Sequence, residues 1–117
     1  MKYFTLDEFD SPDLPNSGIN MDANFLSMLD DARHMADIPF KINSGYRTKE
    51  HNYKVGGKEK SSHLAGKAAD IACSTSRERW IIITALQDAG FNRIGIANNF
   101  IHVDSDENKS PNVIWTY

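Results

Sequence analysis

The spacing of apolar residues predicts two long helices. Over residues 22–37, apolar side chains recur three and four positions apart, behind an aspartate that can cap the first turn. The same spacing returns over residues 75–89, where a capping box opens the helix and Gly90 ends it. Shorter helical segments are predicted at a capping box in residues 5–8 and over residues 48–55.

Short apolar and alternating runs predict strands at residues 40–43, 68–73, 93–97, 100–104 and 113–117. Asn98 and Asn99 separate two of these runs, and they suit the tight turn of a hairpin because asparagine tolerates positive φ. Two longer helices with four or five short strands predict an α+β fold, in which the helices flank a small antiparallel sheet.

Composition indicates one small domain spanning residues 1–117. Of the 117 residues, 40% are apolar and 25% are charged, which is enough for a packed core. The net charge of −3 argues against nucleic-acid binding, and the single Cys73 excludes an internal disulfide or an all-cysteine metal site. No apolar run is long enough to span a membrane, and the N-terminus has no signal-peptide pattern. We therefore expect a monomer that is made in the cytoplasm and has no membrane partner.

Asp70 is the first candidate for chemistry, because it interrupts an apolar strand between Ala69 and Ile71. A carboxylate in such a place must be paired, hydrogen-bonded or bound to a metal, since burying it alone is costly. Ala68 and Ala72 flank it on the same face and leave space in front of it. A structural salt bridge is the alternative explanation.

His102 lies in the predicted hairpin and shares a strand face with Asp104. Pairing across the turn places Gly95 opposite His102, which leaves room for a bound group. The same pairing places Arg93 opposite Asp104 and predicts an ion pair between them. An ordinary sheet histidine is the alternative interpretation of His102.

With His63, these residues have the composition of a catalytic zinc site. Two histidines and one aspartate leave the fourth tetrahedral position to water, and the metal can then acidify that water and polarise a carbonyl. Arg47, at a predicted strand-to-helix turn, could bind a carboxylate or a developing oxyanion, although a solvated arginine is the alternative. His34, in the first long helix, is interpreted as a surface residue.

Four segments of the chain resemble the M15 peptidase family. They read SGYRT, HNYKVGG, SSHLAGKAADI and FIHVD, and the pattern S-x-H-x-x-G-x-A-x-D followed by a strand histidine is fairly specific. This family contains D-alanyl-D-alanine carboxypeptidases and peptidoglycan endopeptidases, and it belongs to a wider group of zinc peptidases that includes hedgehog signalling domains. The resemblance implies the fold of that group.

The resemblance also implies roles for individual residues. His63, Asp70 and His102 match the ligands of one zinc ion. Arg47 matches an arginine that stabilises the substrate carbonyl or the tetrahedral intermediate. Ser61 matches the serine of the motif, which we expect at the substrate-binding site as a hydrogen-bond donor.

Two features of the family are missing from this chain. Many members have an acidic general base three positions before the last ligand, where this chain has Asn99. Others have a histidine two positions before that ligand, where this chain has Phe100. Asp104 is the first candidate for the general base because it shares a face with His102, and His51 is the second.

The resemblance implies hydrolysis of an amide bond in peptidoglycan stem peptides by a metal-activated water. The enzyme would be a cell-wall endopeptidase or a D,D-carboxypeptidase. A bare catalytic domain resembles a phage endolysin, which reaches the cell wall after holin-type release. The missing base residues leave one alternative, a zinc-stabilised module of hedgehog type that binds peptidoglycan or a protein without catalysis.

Overall fold

Five strands form one sheet in a computed structural model that describes residues 1–117. The strands are β1 (Ile42–Ser44), β2 (Ala68–Ala72), β3 (Arg93–Ile96), β4 (Phe100–Asp104) and β5 (Val113–Thr116), in the order β1-β2-β4-β3-β5. The α-helices are α1 (Ala23–Ala36), α2 (Lys49–Lys54) and α3 (Ser76–Asp88), and 3-10 helices span Leu6–Phe9, Ser17–Asn20 and Ser62–Ala65. The α+β class predicted from the sequence is confirmed.

The long helices begin at the predicted caps. The Asp22 carboxylate accepts a hydrogen bond from the backbone N–H of Phe25, and Thr75 caps α3 in the same way through the N–H of Glu78. Both helices bury an apolar stripe in the core that also covers one face of the sheet. The core includes Phe25, Leu29, Ile71, Ile82, Leu86, Ile94, Ile101 and Val103. None of the helices combines the length and the apolar composition that crossing a bilayer requires.

The sheet differs from the predicted antiparallel one in its last strand, because β5 pairs in parallel with β3. The physical reason is where β5 begins. β4 ends at Asp104, beside the start of β3 at Arg93, and residues 105–112 keep the chain at that end of the sheet. A strand that starts there and adds to the outer side of β3 must run in the same direction as β3.

The first strand also differs from its prediction, because it spans Ile42–Ser44 instead of residues 40–43. Phe40 lies before the strand and is buried in the core, with only 4% of its surface exposed. Its apolar side chain therefore contributed to the predicted alternation through core packing and not through strand pairing.

One row of residues crosses the face of the sheet that lies away from the helices. Direct pairing aligns its members in the order Ser44, Asp70, His102, Gly95 and Trp115. Because partners in register project to the same face, these residues share one surface from edge to edge. We refer to them as the transverse row.

Gly95 makes room in this row for the indole of Trp115. A Cβ atom added at Gly95 would lie 2.7 Å from Cε2 and from Nε1 of Trp115. The predicted register of Gly95 opposite His102 is confirmed. The predicted room for a bound group is wrong, because β5 lies next to β3 and Trp115 fills the space.

Gly95→Ala is therefore expected to destabilise the protein by about 1–3 kcal/mol, the usual cost of forcing extra atoms into a packed site. Urea denaturation measures this change in the free energy of unfolding. In a Trp115→Ala background the added methyl meets no indole, so the cost should largely disappear. The same cost in both backgrounds would contradict the contact between Gly95 and Trp115.

Candidate metal centre

His63, Asp70 and His102 converge on one point of the sheet face. His63 Nε2 lies 3.3 Å from Asp70 Oδ1, and His102 Nδ1 lies 2.9 Å from the same oxygen. One potential ligand atom from each residue falls within 4.8 Å of the others. All three residues are buried, with 3%, 8% and 8% of their surfaces exposed, respectively. The structure thus brings together the three residues predicted to bind a metal.

Two different parts of the fold position these side chains. Asp70 and His102 are direct partners on β2 and β4. His63 comes from the 3-10 helix Ser62–Ala65, which begins where the Ser61 hydroxyl accepts a hydrogen bond from the backbone N–H of His63. This helix ends at Gly66, which has a positive φ of 70°. A Cβ atom added at Gly66 would lie 2.3 Å from the backbone oxygen of Asn20. Both features require glycine at this position.

The hydrogen bonds of each histidine leave one nitrogen free for a metal. His63 Nδ1 lies 2.7 Å from the backbone oxygen of Gly45, which can only accept, so this nitrogen donates and Nε2 is the nitrogen that faces Asp70. His102 Nε2 lies 2.8 Å from Asp104 Oδ2, so this nitrogen donates to the carboxylate and Nδ1 faces Asp70. Such partners orient metal-binding histidines and set their tautomer.

The cluster fits zinc in both geometry and donor type. Zinc bonds to nitrogen and oxygen of about 2.0–2.2 Å, at tetrahedral angles, hold two ligand atoms about 3.3 Å apart. The two separations from Asp70 Oδ1, 3.3 Å and 2.9 Å, are close to this value, and the ligand atoms of the two histidines lie within 4.8 Å of each other. Two histidines and one carboxylate also leave a position open, as catalytic zinc sites do. The three residues could therefore hold one zinc ion.

The Asp70 carboxylate is ionised in this environment. Burial raises the pKa of Asp70, but hydrogen bonds from His102 and His63 outweigh burial and hold that pKa below its ordinary value. A metal ligand must be deprotonated, so the centre keeps Asp70 in the form that binds a cation.

Arg47 lies beside the cluster, and three side chains hold its guanidinium. Nε donates to Ser44 Oγ at 3.0 Å, and Nη1 donates to Asn52 Oδ1 at 3.2 Å. Nη2 lies 3.4 Å from Asp70 Oδ2, so the positive charge sits next to the carboxylate of the cluster. Asn52 is itself buried and donates to the carbonyl of Lys58 at 2.8 Å. Sequence reasoning missed Asn52, because a single polar residue in a short helix carries no sign of burial.

Asp104 lies on the opposite side of the His102 ring from Asp70, with 1% of its surface exposed. Its Oδ2 accepts from His102 Nε2, and its Oδ1 accepts from Arg93 Nε at 2.7 Å and from the Asp106 N–H at 3.1 Å. The predicted ion pair with Arg93 is confirmed. Burial raises the pKa of Asp104, and hydrogen bonds from His102 and Arg93 lower it by more, so the net shift is downward. Both oxygens are engaged, which favours a role in positioning His102 over the predicted role of general base.

His51, the second candidate for the general base, lies away from the cluster. It faces a separate surface depression beside Pro12, Asp13, Glu50 and Lys54, and it does not line the cavity that contains the metal ligands. His34 is exposed, as predicted, and its ring contacts the hydroxyl of Tyr3. Ser61 does line the cavity, but its hydroxyl accepts a hydrogen bond from the adjacent turn.

The metal ligands open into a cavity of about 510 Å³ whose lining includes residues that sequence reasoning missed. Trp115 and Tyr117 come from the C-terminal strand region, and Lys109 comes from the loop after β4. Lys109 Nζ donates to Ser62 Oγ at 2.7 Å, and Ser62 donates to Asp106 at 2.7 Å. These contacts join the loop to the helix that carries His63. No pattern in the sequence signals them, because they link positions far apart in the chain.

Comparison with known protein families identifies the class to which this fold and this centre belong. A sequence model of the family described as peptidase M15 matches residues 2–104, which is most of the chain. The chain belongs to the peptidase M15 family. The family predicted from the sequence motifs is thereby confirmed, and it supports a peptidase with a peptide substrate. A search of curated proteins found no match.

Removal of the metal is expected to lower the melting temperature. A zinc ion bound only by the folded chain stabilises it by mass action, by about 4 kcal/mol at a free concentration 1,000 times the dissociation constant. Its ligands would come from a helix and two strands, so unfolding would separate them. A metal-binding histidine must be deprotonated. Burial lowers the pKa of His102, but hydrogen bonds to Asp104 and Asp70 outweigh burial and raise that pKa above its ordinary value, so the stabilisation should shrink as the pH falls through this raised pKa.

Thermal unfolding with zinc and with a chelator, at neutral pH and near pH 5, measures this effect. His63→Ala is the matched control, because its melting temperature should not respond to zinc. Identical melting temperatures with and without zinc at neutral pH would show that the cluster does not bind the ion.

Proposed function

We propose that this protein is a zinc-dependent peptidase that hydrolyses an amide bond in the stem peptides of peptidoglycan. The observation that carries the proposal is the cluster of His63, Asp70 and His102 in the lining of a cavity, with the guanidinium of Arg47 3.4 Å from Asp70. Membership of the peptidase M15 family supports amide hydrolysis as the reaction.

In this proposal, zinc bound by the cluster supplies a Lewis acid that polarises the scissile carbonyl and lowers the pKa of water. The Gly45 carbonyl and the Asp104 carboxylate keep the histidine rings in the orientation that presents Nε2 and Nδ1. Arg47 offers a fixed positive charge where the carbonyl oxygen becomes negative, and such preorganised charge lowers the barrier. The hydrogen bonds that the guanidinium donates to Ser44 and Asn52 hold it there before substrate arrives.

The carboxylates of the cavity favour a second candidate function. Asp70 and Asp104 are the only acidic residues in its lining, and both are hydrogen-bonded to His102. A module that binds peptidoglycan or a protein, and is stabilised by zinc without hydrolysing its ligand, needs no further carboxylate to act as a base. It would still use the cavity for binding.

Digestion of purified cell walls separates these functions. Zinc-loaded protein, chelated protein and chelated protein with zinc restored are each incubated with the walls, and mass spectrometry identifies the soluble products. Release of terminal D-alanine would indicate a carboxypeptidase, and separation of cross-linked stems would indicate an endopeptidase. Protein that binds the walls and releases nothing over a long incubation would support the binding module and reject the peptidase.

A further inference from the structure

The segment HNYKVGG, residues 51–57, supplies no metal ligand, yet part of it forms a wall of the cavity. After α2 ends, residues 55–58 form a loop that lines the same cavity as the metal ligands. The loop turns back on α2, because the backbone N–H of Gly57 donates to the carbonyl of Asn52 at 2.8 Å. Most of the loop is exposed, so a ligand in the cavity can contact it. We refer to residues 55–58 as the wall loop.

Asn52 connects the wall loop to Arg47 through one side-chain amide. Its Nδ2 donates to the carbonyl of Lys58 at 2.8 Å, and its Oδ1 accepts from Arg47 Nη1 at 3.2 Å. A carbonyl can only accept and a guanidinium can only donate, so these two contacts fix which way the amide faces. Only 4% of the surface of Asn52 is exposed, so water has little access to replace either bond. The position of Arg47 therefore depends on the position of the loop backbone.

Gly57 brings the backbone of the wall loop against the contact between Asn52 and Arg47. A Cβ atom added at Gly57 would lie 2.0 Å from Asn52 Oδ1 and 3.1 Å from Arg47 Nη1. These two atoms are the acceptor and the donor of the hydrogen bond that holds the guanidinium. A side chain at position 57 would have to displace the Asn52 amide, and this displacement would weaken its hold on Arg47.

The bond to Asn52 also keeps Arg47 apart from Asp70. Arg47 Nη2 lies 3.4 Å from Asp70 Oδ2, whereas a charge-assisted hydrogen bond between such groups is about 2.7–2.9 Å long. The attraction between the two charges favours closing this gap, and the bonds from Arg47 to Asn52 and Ser44 oppose that movement. A closed ion pair would direct the charge of Arg47 to Asp70 and away from a substrate carbonyl.

We propose that the wall loop sets the position of the Arg47 guanidinium through Asn52, and that Asn52 and Gly57 are positioning residues for the reaction. They hold the positive charge toward the cavity instead of against Asp70. A ligand that contacts the wall loop then also contacts the structure that orients Arg47. The inference rests on the proposed peptidase function and deepens it, because it adds two residues that act on the substrate only through Arg47.

Kinetics on soluble stem peptides provide the first test. Asn52→Ala and Gly57→Ala should each lower kcat by about 100-fold, the effect of misplacing a group at the reaction centre by ~1 Å. KM should change little, because Arg47 contacts a developing oxyanion only in the transition state. Gly57 lies in a loop outside the core, so its variant keeps the test available if Asn52→Ala does not fold.

Tyr53→Ala is the matched control for these kinetics. Tyr53 follows Asn52 on α2, its surface is 88% exposed, and it does not line the cavity. Its replacement should leave kcat and KM unchanged. A kcat for both Asn52→Ala and Gly57→Ala as high as that of Tyr53→Ala would overturn the proposal.

An Arg47→Ala background separates positioning from a purely structural role. In this background Asn52→Ala should cause no further loss of kcat, because no guanidinium remains to be positioned. A residue that only supports the fold would cause the same loss in both backgrounds. Equal losses in the two backgrounds would therefore overturn the proposal.

Crystal structures of the unmodified chain and of Asn52→Ala provide a test that needs no hydrolysis. In the variant the guanidinium should move toward Asp70, and the distance between Arg47 Nη2 and Asp70 Oδ2 should fall from 3.4 Å to about 2.8 Å. A guanidinium in the same place in both structures would overturn the proposal.

These outcomes are distinct from failure of the proposed function. An unmodified chain that releases nothing from cell walls, together with a guanidinium that moves in Asn52→Ala, would reject the peptidase and retain the control of Arg47 by the wall loop. An active unmodified chain whose kcat neither Asn52→Ala nor Gly57→Ala lowers would retain the peptidase and overturn the inference.

Discussion

His63→Ala and, separately, His102→Ala should reduce both bound zinc and hydrolysis of cell-wall peptides to the level of a blank. Each variant removes one of the two nitrogen ligands, and the remaining histidine and Asp70 are too few to hold the ion in a catalytic geometry. Metal analysis of the purified variants and release of soluble stem fragments are the two measurements. Either variant with full activity would reject the proposed centre.

Two other histidines serve as matched controls for these variants. His34→Ala should keep zinc and activity, because His34 is exposed on α1. His51→Ala should also keep both, because His51 faces a different surface depression. A large loss of turnover in His51→Ala, with zinc retained, would instead favour His51 as the general base and require a movement of α2.

Asp104→Asn should weaken zinc binding by about 10–100-fold, the usual effect of changing the partner of a metal-binding histidine. The amide offers one acceptor oxygen where the carboxylate offers two, so it cannot accept from both His102 and Arg93. If its NH2 group faces His102, that ring must accept through Nε2 and carry its proton on Nδ1, where the proton blocks the metal. The same change leaves the Arg93 guanidinium without its carboxylate, which typically costs about 3–5 kcal/mol for a buried pair.

Zinc titration and urea denaturation of Asp104→Asn separate positioning from base catalysis. If Asp104 were the general base, the variant would keep zinc affinity and stability and would lose about 100–10,000-fold in turnover. Asp88→Asn is the control, since Asp88 ends α3 as an exposed carboxylate and its change should affect neither measurement.

The parts of the fold that local sequence determines were the most predictable. Asp22 and Thr75 predicted where their helices begin, because an N-cap requires one of a few side chains at a single position. Asn98 and Asn99 fix the register of the hairpin, and this register correctly predicted both Gly95 opposite His102 and the contact between Arg93 and Asp104. The apolar pattern does not encode strand direction, so it could not show that β5 runs parallel to β3.

Residue types and motifs predicted which residues form the candidate site, but not how their side chains contact one another. An aspartate inside an apolar strand indicates a bound or paired carboxylate, and this reasoning singled out Asp70 before any geometry was known. Which nitrogen of His102 faces the metal, and what Asp104 contacts, depend on side-chain directions that spacing does not specify. The position of Trp115 over Gly95 could not be predicted for a different reason, since it follows from the parallel pairing of β5 with β3.

The transverse row also determines which strand alignments the sheet can adopt. If β2 slipped by one residue against β4, Asp70 would turn toward the helices, and its carboxylate would lie among side chains such as Ile71 and Ile101 without a partner. The same slip would turn Ile71 out to the polar face. Burying an unpaired carboxylate costs far more than the pairing gains, so the polar residues of the site exclude the misaligned sheet even before any ion or peptide is bound.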